Sequence, residues 1–379
     1  MDIFDIALAF TPRVGSGAAA HLIEVFGSAQ RIFAASVGEL VARAELNRRV
    51  AESIVSRVAM VEAERELEYC RRHGIEILAA TDNNYPFLLK QMPDPPHIIF
   101  ANGNLEALKG TTISIVGTRK NTPYGERSCK AIVKDLASKI DDLVVVSGLA
   151  FGTDASAHRA ALEVGAKTIA VLPNPLPDVS PASHRTLADA ILDSGGLLLS
   201  EQRSTVKNIS KTFISRNRII AALSEATIVM ESGYKGGSMS TARAAADFGR
   251  SVFALPGRIT DPMSSGCNSL ISSCVAQSIT APDHLIFMLG WEGRVSTSAR
   301  GESDDADGAG EVITFDETQR GVLGCFRYDE PLHVSQIEEL SQLSTAELNG
   351  LLMELELMGA VATLPGSRYE RTIPHDKIG

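Results

Sequence analysis

The sequence predicts an α/β fold: a doubly wound, Rossmann-like parallel sheet, with a small helical domain before it and a winged helix after it. Three observations lead there. Between residues 111 and 290, six short and almost wholly apolar runs alternate with helical stretches. Five of those runs lead straight into loops rich in Gly, Ser, Thr or Arg. The flanks differ in kind: residues 1–75 carry helical spacing throughout, and the last seventy or so residues give helices followed by a short hairpin pattern.

The six runs are Ile113–Val116, Leu143–Val146, Thr168–Leu172, Leu197–Leu199, Thr227–Met230 and Ser251–Leu255. Strands this uniformly apolar are buried on both faces, as happens when helices cover both sides of a parallel sheet. Right-handed crossovers then give a doubly wound sheet, in which ligands sit beyond the carboxyl ends of the strands.

Before the sheet, helical periodicity covers Arg13 to Phe26, Ser36 to Ala44 and a long run from Arg48 to His73. The Gly-rich turn Thr11–Gly17 ahead of a helix suggests a helix–hairpin–helix, a motif that holds phosphate on backbone N–H groups. A plain helical bundle with a Gly-rich turn fits the same residues. Residues 76–110, with Tyr85-Pro86 and Asp94-Pro95-Pro96, read as a Pro-rich connector, because proline breaks helices and favours extended backbone.

After the Rossmann-like segment of 111–290, residues 291–310 are mostly Ser, Gly, Asp and Glu, too poor in bulky apolar groups to fold, and read as a flexible acidic linker. In residues 311–373, Leu348, Leu351, Leu352, Leu355 and Met358 form one helical stripe ahead of a Pro-Gly turn, which suggests the winged helix.

The 379 residues are 44% hydrophobic and 22% charged, with a net charge of −10. That acidity is unevenly placed. From 111 to 289 there are 18 Lys and Arg against 15 Asp and Glu, while 301–317 holds seven acids and no base. Local loops therefore decide which partners are possible. Five scattered cysteines form no CxxC pair, so neither zinc nor a disulfide framework is expected. No run reaches the roughly 20 apolar residues needed to cross a bilayer. Met1 to Phe10 contains Asp2 and Asp5 and no basic start, unlike a secretory signal. A cytoplasmic protein without a membrane partner is expected.

The chemistry should lie in the strand-end loops: Gly117–Gly125, Ser147–Asp154, Ser200-Glu201 with Phe213–Arg218, Glu231–Ser238 and Pro256–Arg258. Glycine admits close backbone approach, helix starts offer unpaired N–H donors, and arginine forks onto phosphate oxygens. Several such loops on one rim make a polyanion site. Asp154, His158 and Glu231 could serve catalysis, or could cap helices and pack. There is no Walker loop, no GxSxG elbow and no metal-ligand cluster, so no cofactor and no metal are expected.

These loops resemble the signature of the DprA/Smf family of DNA-processing proteins. The resemblance runs through VGTR at Val116–Arg119, SGLAxGxD at Ser147–Asp154, Ala157-His158, RNRII at Arg216–Ile220, Gly237–Ala242, Leu255-Pro256-Gly257 and Gly266–Ile271. It implies a non-enzymatic homodimer that binds single-stranded DNA and helps load RecA recombinase during natural transformation. It implies that Arg119 contacts phosphate with Gly117 and Thr118, that Ser147, Gly148 and Gly152 present backbone donors, and that Arg216, Asn217 and Arg218 add polar and positive groups. Gly237 and Ser238 would close the pocket, and Arg185 and Lys211 would supply nearby charge.

Two departures stand out. The basic residue usual in the SGLAxGxD loop is replaced by Phe151, which cannot pair with phosphate but can stack on a base. The Tyr-Pro usual after the third strand is Ser180-Pro181, preceded by Pro173-Asn174-Pro175. The alternative is an enzyme of the related phosphoribohydrolase fold. Such enzymes carry a GGxGTxxE loop with a catalytic glutamate, where this chain has Gly236–Ala244 and no Glu.

Overall fold

In the computed structural model, residues 2–209, 212–296, 315–326 and 331–373 are described. The chain forms two compact units, residues 1–300 and 301–379.

The first unit begins with six helices: α1 (Ile3–Phe10), α2 (Ser16–Phe26), α3 (Ala29–Ala34), α4 (Val37–Ala44), α5 (Arg48–Val55) and α6 (Val58–Arg72). The helix expected from Arg13 starts at Ser16, because Arg13 takes a left-handed backbone (φ 68°) and Gly15 is the N-cap. The long run from Arg48 is broken where Arg57 does the same (φ 54°). The apolar faces of these helices share one core with Ala170, Leu172 and Leu198 of the sheet and Ala188 and Ile191 of a sheet helix.

All six expected strands form: β3 (Thr111–Val116), β4 (Leu143–Ser147), β5 (Lys167–Leu172), β6 (Leu197–Ser200), β7 (Ala226–Val229) and β8 (Ser251–Ala254). Their spatial order is β6-β5-β4-β3-β7-β8, all parallel. Alternate side chains enter different cores. Val144 and Val146 of β4 join one, Leu143 and Val145 the other, which is why the strand carries no polar face. The chain steps from β3 out to β6 and then returns to place β7 on the far side of β3. The topological switch point therefore lies between β3 and β7, where a crevice opens at the carboxyl ends.

Residues 76–110 are more than a connector. They supply β1 (Glu76–Ala79) and β2 (Ile98–Gly103), which extend the sheet antiparallel beyond β6. The prolines lie between these strands, around the short helix α7 (Phe87–Lys90), so they interrupt no ladder. Gly103 ends β2 at φ 118°, with no room for a Cβ: it would sit 2.5 Å from the Gly196 carbonyl oxygen. The two-residue strand β9 (Gln277–Ser278) completes nine strands at the other edge.

The covering helices are α8 (Pro123–Lys139), α9 (Thr153–Glu163), α10 (Arg185–Asp193), α11 (Thr212–Ala222), α12 (Ser238–Asp247), α13 (Ser265–Ser272) and α14 (Pro282–Leu289). The expected linker does not begin at residue 291. Trp291 is completely buried and its Nε1 donates to Glu225 Oε2 at 3.0 Å, so residues 291–296 belong to this unit. The rest of that segment, 297–310, lies outside the described residues.

The second unit contains α15 (Glu317–Gly324), β10 (Leu332–His333), α16 (Val334–Ser341), α17 (Thr345–Leu357), β11 (Val361–Leu364) and β12 (Arg368–Arg371), with sheet order β10-β12-β11. Leu348, Leu352 and Leu355 are fully buried along the expected stripe, and Leu351 and Met358 pack at its margin. Helices followed by a β-hairpin form the winged helix. No helix among the described residues is long and apolar enough to cross a membrane.

Candidate functional site

A cavity of about 370 Å³ occupies the crevice at the switch point. The loop after β3 forms one wall. Thr118 N donates to the Glu231 carbonyl oxygen at 2.7 Å, and Thr153 N donates to the Thr118 carbonyl oxygen at 3.1 Å. The loops after β3, β4 and β7 are thereby tied together. Gly117 is required at this junction, since a Cβ there would lie 2.4 Å from Thr153 Oγ1.

Glu231 is buried behind this wall. Its two carboxylate oxygens accept from Thr122 N at 2.8 Å and Thr122 Oγ1 at 2.6 Å, just ahead of α8. A Cβ on Gly125 would sit 2.2 Å from Glu231 Oε2. The glutamate therefore holds the start of α8, where a negative charge suits the N-terminal end of a helix.

Asp154, in the first turn of α9, accepts from Ala150 N at 3.3 Å and is nearly buried at the cavity floor. Burial pushes its carboxyl above the usual range, opposed by the Arg216 charge. Behind it, His158 is completely buried, with Nδ1 2.7 Å from Thr168 Oγ1. Thr168 donates its own proton to the Val145 carbonyl oxygen, so His158 must donate from Nδ1. Burial, reinforced by the nearby Arg216 charge, pulls its pKa down to about 3. A neutral imidazole packed under the sheet loop serves structure.

The structure divides the expected phosphate residues. Gly117, Thr118, Arg119, Arg216, Asn217, Gly237 and Ser238 all line the cavity. Arg119 is exposed at its mouth, its guanidinium 5.6 Å from the Phe213 ring centre, and makes no hydrogen bond or ion pair among the described residues. Gly237 caps α12 with no side chain to occupy the first N–H groups, and Ser238 Oγ donates to Ser232 Oγ at 2.9 Å. Asn217 Nδ2 reaches across to Ser240 Oγ at 3.2 Å.

Arg216 has a different task. It is buried, and its Nη1 donates to the carbonyl oxygens of Gly148 (2.7 Å) and Val171. Burial lowers its pKa to about 10, while Asp154 raises it. The charge is inside the wall rather than on it.

Five expected residues are not brought to the cavity; one is Gly148, whose carbonyl oxygen is taken by Arg216 behind the wall. Ser147 is buried and its Oγ donates to the Ile115 carbonyl oxygen at 2.6 Å. Arg218 is turned away, ion-paired with Glu201 and donating to the Asp94 carbonyl oxygen at 2.8 Å. Arg185 pairs with Asp189 at 3.1 Å and lines a separate hollow with Tyr69 and Asn174. Gly152 (φ 73°) does not line the cavity either. It presses on the β3 loop, with no space for a Cβ against the Thr118 carbonyl oxygen at 2.4 Å. Lys211 lies outside the described residues.

Phe213, Ile214, Ser232, Ser240 and Thr241 also line it. The sequence did hold a signal for Phe213: it sits three residues before Arg216, one turn earlier on the same helix. Lys120 and Lys235 are exposed in the same two loops. A larger hollow of about 830 Å³ opens at the amino ends of β3 and β8, lined by Phe87, Thr112, Arg250 and Met288. The strand-end loops do not reach it, and topology favours the switch-point crevice.

Two family models match the chain. Residues 76–290 match the family model of DNA recombination-mediator protein A, and residues 309–367 match that of the DprA winged helix domain. The chain belongs to the DprA/Smf family. Protein Smf of Escherichia coli strain K12 is 36% identical over 294 residues, covering 76% of each chain. DNA processing protein DprA of Bacillus subtilis is 39% identical over 208 residues, 55% of this chain and 69% of the relative.

Among solved structures, DprA of Streptococcus pneumoniae superposes with a TM-score of 0.66 at 29% identity, over 76% of this chain and 97% of that one. DprA of Helicobacter pylori, described for a unique mode of binding single-stranded DNA, gives 0.51 at 32% identity, over 57% and 96%. As a DprA/Smf protein, the chain is a DNA-processing, recombination-mediator type of molecule with a parallel-dominated central sheet and a C-terminal winged helix.

Proposed function

We propose that this protein binds unpaired DNA strands along the carboxyl-end rim of its sheet and breaks no bond in doing so. The observation that carries this reading is Arg119. It is an exposed guanidinium with no ion pair among the described residues, at the mouth of a crevice walled by Gly117, the start of α12, which has no side-chain cap, and the hydroxyls of Ser238 and Ser240. Such a site offers forked donors, backbone N–H groups and a helix dipole to phosphate oxygens. The two carboxylates that could serve as acid or base are committed elsewhere, Glu231 to α8 and Asp154 to the Ala150 loop. The single-stranded DNA bound by the Helicobacter pylori relative supports the same ligand.

In this reading two copies form a homodimer in the cytoplasm, so that one strand engages two rims and gains effective concentration. The dimer then passes the strand to RecA recombinase. A gel-shift comparison of single-stranded, duplex and mononucleotide ligands over a salt series tests the core claim. Single strands should bind tightest, with affinity falling steeply as salt rises. No binding of oligonucleotides in dilute buffer, or release of free base from a nucleotide, would overturn it.

A further inference from the structure

Beside the phosphate crevice, one aromatic ring is offered to solvent in a fixed pose. Phe151 lies in the loop between β4 and α9 and is 49% exposed. Isolated exposed apolar side chains are ordinary; this one is held by its neighbours. Its ring meets the buried His184 ring edge-on, with centres 4.7 Å apart and planes at 66°. His184 is itself locked, with Nδ1 donating to the Leu149 carbonyl oxygen at 2.8 Å.

The backbone on either side is equally constrained. Leu149 is buried in a left-handed conformation (φ 56°), which a branched side chain rarely adopts, and Gly152 follows at φ 73°. Gly152 is packed so closely on the β3 loop that an added Cβ would lie 2.6 Å from the Arg119 carbonyl carbon. The exposed ring is therefore anchored to the backbone of the residue that presents the free guanidinium. An unpaired strand presents phosphates and bare base faces along its length, whereas a duplex hides those faces in its own stack.

We infer that Phe151 is a base-stacking, specificity-determining residue of this rim. It takes the face of one unpaired nucleobase while Arg119 takes an adjoining phosphate, and so favours unpaired DNA over duplex. This rests on the proposed binding of DNA strands at the crevice.

The experiment measures affinities of the full-length protein for three probes of equal length: a single-stranded deoxyadenosine oligonucleotide, the same strand with abasic sites, and a duplex. Wild type should prefer the base-bearing strand to the abasic one. Phe151→Ala should lose about tenfold on the base-bearing strand, remain unchanged on the abasic strand and keep its salt slope. Phe151→Trp should retain binding and lose indole fluorescence when the strand docks. That signal is readable because Trp291 is the chain's only other tryptophan and is completely buried.

If wild type binds both single strands equally, or if Phe151→Ala weakens both alike or neither, the stacking role is overturned while strand binding stands. If wild type binds no oligonucleotide, the underlying site reading fails, and the stacking role with it.

Discussion

Arg216 Nη1 donates to the carbonyl oxygen of Gly148 at 2.7 Å, and so joins helix α11 to the loop that follows β4. The same guanidinium reaches the Val171 carbonyl oxygen at the end of β5 and faces Asp154 at the start of α9. One buried cation thus sets the relative positions of three elements around the crevice. Phosphate held nearby feels its field, but the hydrogen-bonding capacity of the group is largely spent within the protein.

Replacement of Arg216 should therefore register first as instability. Arg216→Ala leaves two backbone carbonyls and a buried carboxyl without their partner, at a cost of about 3 kcal/mol. Arg216→Lys should recover only part of this, because one ammonium cannot also replace the Nε donor that reaches Asn217 Oδ1 at 3.2 Å. Urea denaturation of both variants measures the effect. A midpoint equal to wild type in Arg216→Ala would refute the bracing role.

Arg119 should show the opposite signature. Arg119→Ala should leave the unfolding free energy from urea denaturation within about 0.5 kcal/mol of wild type, as expected of an exposed and unpaired side chain. It should weaken single-strand binding regardless of base sequence and reduce the slope of log affinity against log salt by about 0.7. Arg218→Ala, which breaks the pair with Glu201, should lower stability and leave that slope alone. Parallel salt titrations of the two variants would expose an exchange of roles.

His158 gives a pH dependence of known sign. Its folded-state pKa of about 3 lies below the ordinary 6.5, so between these values the unfolded chain binds the extra proton. Stability from this group is complete above about pH 6.5 and is lost as pH falls toward 3. The loss approaches about 1.4 kcal/mol per pH unit within that window. His158→Gln should flatten that part of the profile. Denaturation midpoints at pH 7.5, 6.0 and 5.0 for both proteins check this, and parallel profiles would show that other groups control acid sensitivity.

The winged helix is predicted to leave duplex DNA alone. Its longest helix, α17, carries Glu347, Glu354 and Glu356 and no Lys or Arg, so it would repel the phosphates flanking a major groove. Removing residues 311–379 should leave whatever duplex affinity the full chain has unchanged. Abolition of duplex binding by the deletion would contradict this.

The sheet was legible because its chemistry is one-sided. Strands buried on both faces have no polar alternation to confuse with a helix, and each ended within two residues of its expected limit. The Pro-rich segment hid β1 and β2, since strands of four and six residues with prolines between them lack enough pattern to be told from extended loop. The breaks at Arg13 and Arg57 were hidden for a related reason: either residue type suits a helix, yet each takes a positive φ in the fold.

The candidate site was legible as a set of loops, and less so as individual side chains. Arg216 and Arg218 are the same residue type two positions apart, yet on a helix that spacing separates them by about 200°. They cannot both face one cavity, and here neither offers a free guanidinium: Arg216 turns inward and Arg218 turns to Glu201. Composition and spacing alone determined that this chain makes a buried parallel sheet with Gly-, Ser- and Arg-rich strand ends, because burial and backbone freedom are properties of residue type. Only the tertiary structure decided which arginine stays free, because a charge is committed or available according to the partners that distant segments bring within a hydrogen bond of it.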